Sequence, residues 1–153
     1  MAGDSVFIDR SSTPPEFIFA ENFNVAVPFI DSHLEAGRDA EIAIRTTNGK
    51  EVSYGELAAN VNRTGNALLG IGMVPGERML MMVKDCPEFF YLFWGAIKAG
   101  IVPIPINTLF RTADYIYVLE DSGCTACAYS SEFADEVLPA LATATPGPAH
   151  CLV

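Results

Sequence analysis

The sequence predicts an α/β fold: helices on both faces of a mostly parallel sheet, preceded by an N-terminal β-hairpin. Three observations predict it. From Ser53 onward, helix-like and strand-like segments alternate with short connections, the order of βαβ units. Strand candidates such as "RMLMMVK" are unbroken apolar runs, as strands buried on both faces are. Upstream, "EIAIRTTNGKEVSY" alternates Ile42 and Ile44 with Ala43 and Arg45, turns at Asn48-Gly49, and returns through Val52 and Tyr54.

Residues 1–22 are mixed in character, include Pro14-Pro15, and read as an irregular leader; residues 23–153 read as the α/β portion. "FNVAVPFIDSHLEAG" gives a short helix that stops at Gly37. Asn48-Gly49 is expected to supply the positive φ angles of a tight hairpin turn. Ser53 with Glu56 forms a capping box, and Leu57, Val61, Thr64 and Leu68 follow at helical spacing. Gly65 lies inside that helix, where glycine costs about 1 kcal/mol against alanine. Close packing on a neighbour would explain it.

"GIGMVPGE" leads into the buried strand "RMLMMVK". Asp85 and Glu88 bracket the next helix start, with Pro87 near its first position. That helix, "EFFYLFWGAIKAG", is apolar nearly all round, so it should be covered on more than one side. "IVPIPIN" follows as a strand with Pro103 and Pro105 two residues apart. Their missing N–H groups would face the same side, so that side cannot form a regular ladder: the strand should be at an edge or meet something irregular there. Thr112 is expected to cap a helix ending at Gly123. "CTACAYS" is a strand, "SEFADEVLPALA" a helix that Pro139 should kink or break, and "HCLV" another strand.

The charge balance narrows the partners. Nine Lys and Arg stand against 19 Asp and Glu, a net charge of −10, and no two cations are adjacent. This pattern argues against a nucleic-acid surface or an anionic membrane, both of which call for clustered cations. Half of the residues are hydrophobic and mean hydropathy is +0.28, yet the longest apolar stretch, Phe89–Ile97, is nine residues. A membrane span needs about 20. The N-terminus lacks a basic region followed by an apolar block, so it does not resemble a secretory signal. Cys86, Cys124, Cys127 and Cys151 then read as reduced thiols, and the expected compartment is the cytoplasm.

Several motifs invite a chemical reading that their context weakens. "GIGMVPG" has G-x-G-x-x-x-G spacing, follows a helix and precedes a strand, whereas a phosphate loop follows a strand and opens a helix. Cys124-Thr-Ala-Cys127 falls in a predicted strand, where residues three apart face opposite sides, so two core cysteines are the plainer reading. A thiol oxidoreductase using Cys124 and Cys127 would need a low thiol pKa. His33 and His150 are far apart, and no G-x-S-x-G, H-E-x-x-H or Walker loop occurs. Asp114, Glu120 and Asp121 suit a solvated helix face, and Phe89 to Trp94 suit a core. The residues themselves give no catalytic, cofactor-binding or metal site, and no cofactor is expected to be held by these 153 residues alone.

The stretch "SYGELAANVNRTGNALLGIGMVPGERMLMMVKDCPEFFYLFWGAIKAGIVPIPINTLFRTADYIYVLEDSG" resembles the N-terminal part of the adenylate-forming acyl-CoA synthetases, the AMP-binding superfamily. Its pieces match in order and spacing, and the upstream "FNVAVPFIDSHLEAGRDAEIAI" resembles the benzoate–CoA ligase branch. The resemblance covers about residues 22–153 and implies a parent enzyme coupling an aromatic carboxylate to CoA with ATP and Mg²⁺. It also implies that the phosphate loop, adenine motif, hinge and catalytic Lys of such enzymes lie beyond Val153. No catalytic or binding residue carries over. The expected chain is thus an inactive N-terminal portion that packs against the rest of its own polypeptide, with a homo-oligomer also open. The alternative is a stand-alone doubly wound module that binds a nucleotide or small aromatic ligand without catalysis.

Overall fold

The computed structural model describes residues 6–153. A parallel four-stranded sheet is its centre, with strand order β6-β5-β7-β8. The strands are β5 (Arg78–Met82), β6 (Val102–Pro105), β7 (Ala126–Tyr129) and β8 (His150–Leu152). Helices α2 (Tyr54–Gly70) and α3 (Pro87–Lys98) cover one face, and α4 (Thr112–Ser122) and α5 (Ala134–Thr143) cover the other. The expected fold class is therefore the observed one.

The alternation of β5 divides the core. Met79 and Met81 face α2 and α3 with Ala126 and Ala128 of β7. Leu80 and Met82 face α4 and α5 with Cys127 and Tyr129. Met79, Leu80, Met81 and Met82, four of the five β5 residues, are fully buried, so β5 is the strand that could least tolerate a further polar residue. A third apolar cluster lies outside the sheet. In it Trp94, Ile97 and Tyr91 of α3 meet Leu57, Ala58 and Val61 of α2, and Ala26 and Ile30 upstream. The all-round apolar character of α3 follows, because it serves the sheet on one side and this outer cluster on another.

The prolines of β6 are explained by its place at the edge. Val102 donates its N–H to Glu77 O at 2.8 Å and Ile106 donates to Met81 O at 3.1 Å. Alternation therefore turns the donor positions of Pro103 and Pro105 outward, where no strand among the described residues pairs. The helix α2 begins at the capping box read from the sequence: Glu56 N–H donates to Ser53 Oγ at 3.2 Å, and Ser53 N–H to Glu56 Oε2 at 3.1 Å. Gly65 meets Gly95 of α3, and a Cβ on Gly65 would stand 2.9 Å from Gly95 O. The two helices thus touch backbone to backbone.

The upstream hairpin pairs β3 (Ile42–Arg45) with β4 (Glu51–Ser53) antiparallel, with an irregularity between Ile42 and Ile44. Its turn differs from expectation. Only Gly49 takes positive φ, at 85°; Asn48 does not. Gly49 N–H donates to Thr46 O at 3.0 Å and Thr46 N–H to Lys50 O at 2.9 Å, a three-residue loop closed by one left-handed glycine.

Other expectations are corrected. Within the expected irregular leader, β1 (Val6–Asp9) and β2 (Glu16–Phe19) form an antiparallel hairpin. Its two apolar triplets do not alternate, which hid them from a period-two reading. The short helix is a π-helical turn, Val27–Asp31, running into α1 (Ser32–Glu35). Cys86, not Asp85, is the N-cap of α3. Thr112 is the first residue of α4, and the N-cap is Arg111, whose backbone N–H donates to Asp114 Oδ2 at 3.0 Å. α5 runs unbroken through Pro139 after a 3₁₀ turn at Ser131–Phe133. Gly123 does end α4, in the left-handed region at φ 59°.

Two outcomes follow from these contacts. Gly95→Ala would put a Cβ 2.9 Å from both Thr64 Cβ and Val61 O, so it should lower stability by about 1–3 kcal/mol. Gly70→Ala has open space and should cost nothing; urea unfolding midpoints of the two variants check this contrast. Replacing both Pro103 and Pro105 with alanine gives the edge two outward donors. Self-association in sedimentation velocity should rise while the unfolding midpoint holds.

Candidate functional site

The sheet reverses its direction of growth between β5 and β7. β6 follows β5 on one side, and the chain then crosses to place β7 on the other. In an open parallel sheet, the crevice outside the carboxyl ends at such a point is where ligands bind. Here Val83 follows β5 and Ser130 follows β7, and Lys84 N–H donates to Ser130 Oγ at 3.1 Å across the gap. Lys84 also pairs with Glu132 at the start of the α5 segment. A pocket opens beside this point, lined by Thr64 of α2, Glu88, Tyr91 and Leu92 of α3, and Tyr129 and Leu152 at the strand ends.

The pocket's chemistry is that of a binding surface. Burial above all, with Glu88 and Glu56 nearby, raises the Tyr91 phenol above its ordinary pKa, so it remains a hydrogen-bond donor. Burial likewise raises the Cys86 thiol at the head of α3, which keeps it protonated and weakly nucleophilic. Glu88 supplies a carboxylate, and Thr64 and Ser130 supply hydroxyls. This set can orient a ligand, but it brings together no nucleophile with a base and no cluster of phosphate-binding donors. Among the described residues no group of three or more His, Cys, Asp or Glu is gathered to hold a metal ion. No helix among them is long and apolar enough to cross a membrane.

The motifs singled out in the sequence fall elsewhere. Gly70 ends α2 and the rest of "GIGMVPG" is the turn into β5. His33 stacks on Tyr54 with ring centroids 3.8 Å apart, and His150 opens β8. Cys124 lies before β7 rather than within it, so both it and Cys127 pack into the α4–α5 side of the core instead of facing opposite sides. Burial and the neighbouring Cys151 push the Cys127 thiol well up, the reverse of a redox-active C-x-x-C.

A second surface holds α4 to α5. Glu136 accepts from Thr112 N–H at 2.8 Å, from Thr112 Oγ1 at 2.6 Å and from Arg111 at 3.1 Å. These donors, Thr112 first, hold its carboxyl below the ordinary 4.5. Sequence reasoning missed Glu136 because its partners lie 24 and 25 residues away.

The AMP-binding enzyme family matches residues 31–152, and the chain belongs to that family. Its fold is that of the N-terminal part of the adenylate-forming enzymes, as the resemblance implied. Benzoate–CoA ligase of Thauera aromatica is 40% identical over 134 residues, which are 87% of this chain and 25% of that protein. The 4-hydroxybenzoate–CoA/benzoate–CoA ligase of Rhodopseudomonas palustris is 41% identical over 112 residues, 73% of this chain and 21% of its own length. The chain spans about a quarter of the length of the curated relatives it matches. Among solved structures, a benzoate CoA ligase from Burkholderia xenovorans LB400 superposes with a TM-score of 0.74 at 33% identity, covering 84% of this chain and 25% of that one. The anthranilate CoA ligase AuaEII, in complex with anthranoyl-AMP, gives a TM-score of 0.75 at 27% identity, over 82% of this chain and 24% of that one.

The Glu136 clamp predicts an acid sensitivity. A carboxyl whose folded pKa is lowered contributes stability above its ordinary value and loses it as pH falls through the folded value. The unfolding midpoint should therefore drop as pH is lowered from about 6 to about 3, and Glu136→Gln should flatten that part of the profile.

Proposed function

We propose that this chain is the N-terminal α/β portion of an ATP-dependent aryl-CoA ligase acting on benzoate or a close analogue. The reaction joins an aromatic carboxylate to CoA through an acyl-adenylate, with Mg-ATP consumed and AMP and pyrophosphate released. The observation that carries this reading is the 40% identity to a benzoate–CoA ligase across 87% of the chain. The solved benzoate CoA ligase superposition supports it in three dimensions. On this reading the enzyme works in the cytoplasm, in keeping with its free cysteines.

The portion described here is the scaffold, and the adenylating and thioesterifying groups belong to the remaining length that the relatives possess. The crevice at the β5–β7 reversal offers orientation without a nucleophile or phosphate-binding donors. Exposed apolar side chains such as Phe90 on α3 and Phe17 and Phe19 on β2 suit packing against further chain.

Two assays test the proposal. The 153-residue chain, given benzoate, ATP, Mg²⁺ and CoA, should form no benzoyl-CoA by chromatography. The protein purified from its own cells should form benzoyl-CoA and release pyrophosphate under the same conditions. Turnover by the short chain would remove the scaffold reading; failure of the native protein with every aromatic acid tried would remove the ligase reading.

A further inference from the structure

The β3–β4 turn pairs a reactive dipeptide with a local lock. Of the asparagines in the sequence, Asn48 alone is followed by glycine. The turn demands that glycine, because Gly49 stands at φ 85°, where other residues are strained. A glycine at this place also leaves its backbone nitrogen unshielded by a side chain, beside the asparagine carboxamide. Both reacting groups are tied, and Thr46 takes part in both ties. Gly49 N–H donates to Thr46 O at 3.0 Å. Thr46 Oγ1 donates to Asn48 Oδ1 at 2.5 Å, with Lys50 O as a second acceptor at 3.0 Å. Lys50 N–H donates to the same Asn48 Oδ1 at 3.3 Å, so the carboxamide is held by two donors. The turn belongs to the two-stranded β3–β4 sheet and not to the parallel sheet.

We infer that Asn48 is a deamidation site that Thr46 holds shut, its carbonyl fixing the attacking nitrogen and its hydroxyl the attacked carboxamide. In the opened turn, the Gly49 nitrogen gives its proton to base and attacks Asn48 Cγ. The N–Cγ bond forms, the Cγ–Nδ2 bond breaks, and the amide nitrogen leaves as ammonia with a proton taken up from solvent. The five-membered succinimide then adds one water at either carbonyl, giving aspartate or isoaspartate. One water is consumed and one ammonia released, with no change of oxidation state. The ring closure is intramolecular and the opening asks for water alone, so neither requires a free face of the sheet. The consequences reach the core. Isoaspartate adds a methylene to the backbone of the loop that joins β3 to β4, and Ala43, Ile44 and Val52 of that pair pack into the outer cluster. Either product adds a negative charge to a chain already at −10. Loss of the Thr46 hydroxyl should free the carboxamide at a rate gain of about fivefold, the equivalent of ~1 kcal/mol for one hydrogen bond.

Peptide mapping by mass spectrometry tests the lock, on the protein purified from its own cells and held at mildly alkaline pH, folded or in urea. The expected result is that the folded protein keeps the Asn48 amide while the urea-unfolded chain converts to aspartyl and isoaspartyl forms. Thr46→Val keeps the carbonyl and the side-chain shape, and should convert about fivefold faster than wild type when folded. Thr46→Ser keeps the hydroxyl and should stay at the wild-type rate. In urea the three rates should coincide. Equal rates for folded and unfolded wild type, a Thr46→Val rate no faster than wild type, a Thr46→Ser rate matching Thr46→Val, or a Thr46→Val gain that persists in urea would each overturn the inference. The readout is covalent and independent of ligase activity, so it stands or falls apart from the proposed function.

Discussion

The backbone contact between α2 and α3 at Gly65 and Gly95 is the constraint on which the rest depends. A Cβ on either glycine would sit 2.9 Å from backbone oxygen of the other helix. Because neither has one, α3 comes close enough to α2 to present Trp94, Ile97 and Tyr91 to the outer cluster and Phe89, Leu92 and Phe93 to the sheet side. Separating the helices by even one methyl group would lift one of those faces from its partners, since packed interiors do not relax freely. The upstream segment is fastened to the same helix. Asn24 Nδ2 donates to Ile97 O at 2.9 Å, satisfying a carbonyl in the last turn of α3, and Lys98 pairs with Asp31 at 2.6 Å. The outer cluster is thus apolar in bulk and located by two polar contacts.

What was legible in the sequence was what is local. Ser53 and Glu56 are three residues apart, and their capping box needs nothing from the rest of the fold. Pro103 and Pro105 carry their consequence in their spacing, because alternation fixes which side loses its donors. Gly65 announced a close neighbour without naming it. What was not legible is what depends on distant partners. Arg111, rather than Thr112, became the N-cap because Thr112 is engaged by Glu136 across the α4–α5 contact. Asn48 kept negative φ because a three-residue loop ending in Gly49 satisfied the hairpin with one left-handed residue. The candidate crevice was illegible for the same reason. Helix–strand alternation gives a parallel sheet but does not say that β5 sits between β6 and β7.

Strand order also separates scaffold from chemistry. A reversal point gathers loop ends at one crevice whatever residues those loops carry. Here the loops carry a hydrogen bond from Lys84 to Ser130 and an ion pair from Lys84 to Glu132, both of which close the gap. The Lys84 ammonium, a side chain that would serve as a donor to a phosphate, is thereby engaged by Glu132. The AMP-binding enzyme family's match over residues 31–152 spans all four strands of this sheet and the helices between them.

The two edges of the sheet are not equivalent, and the difference gives the sheet a direction. At β6 the outward donor positions are prolines, so no strand can pair there with a regular ladder. At β8, His150 N–H bonds inward to Thr125 O at 3.2 Å, and alternation leaves the Cys151 N–H facing out with no proline to block it. A further strand can therefore join this sheet at β8 and not at β6. Cys127 of β7 and Cys151 of β8 are register partners on the same side, with their sulfurs 3.6 Å apart. Sheet growth therefore has one open route among the described strands, because an N–H turns outward at β8 where prolines stand at β6.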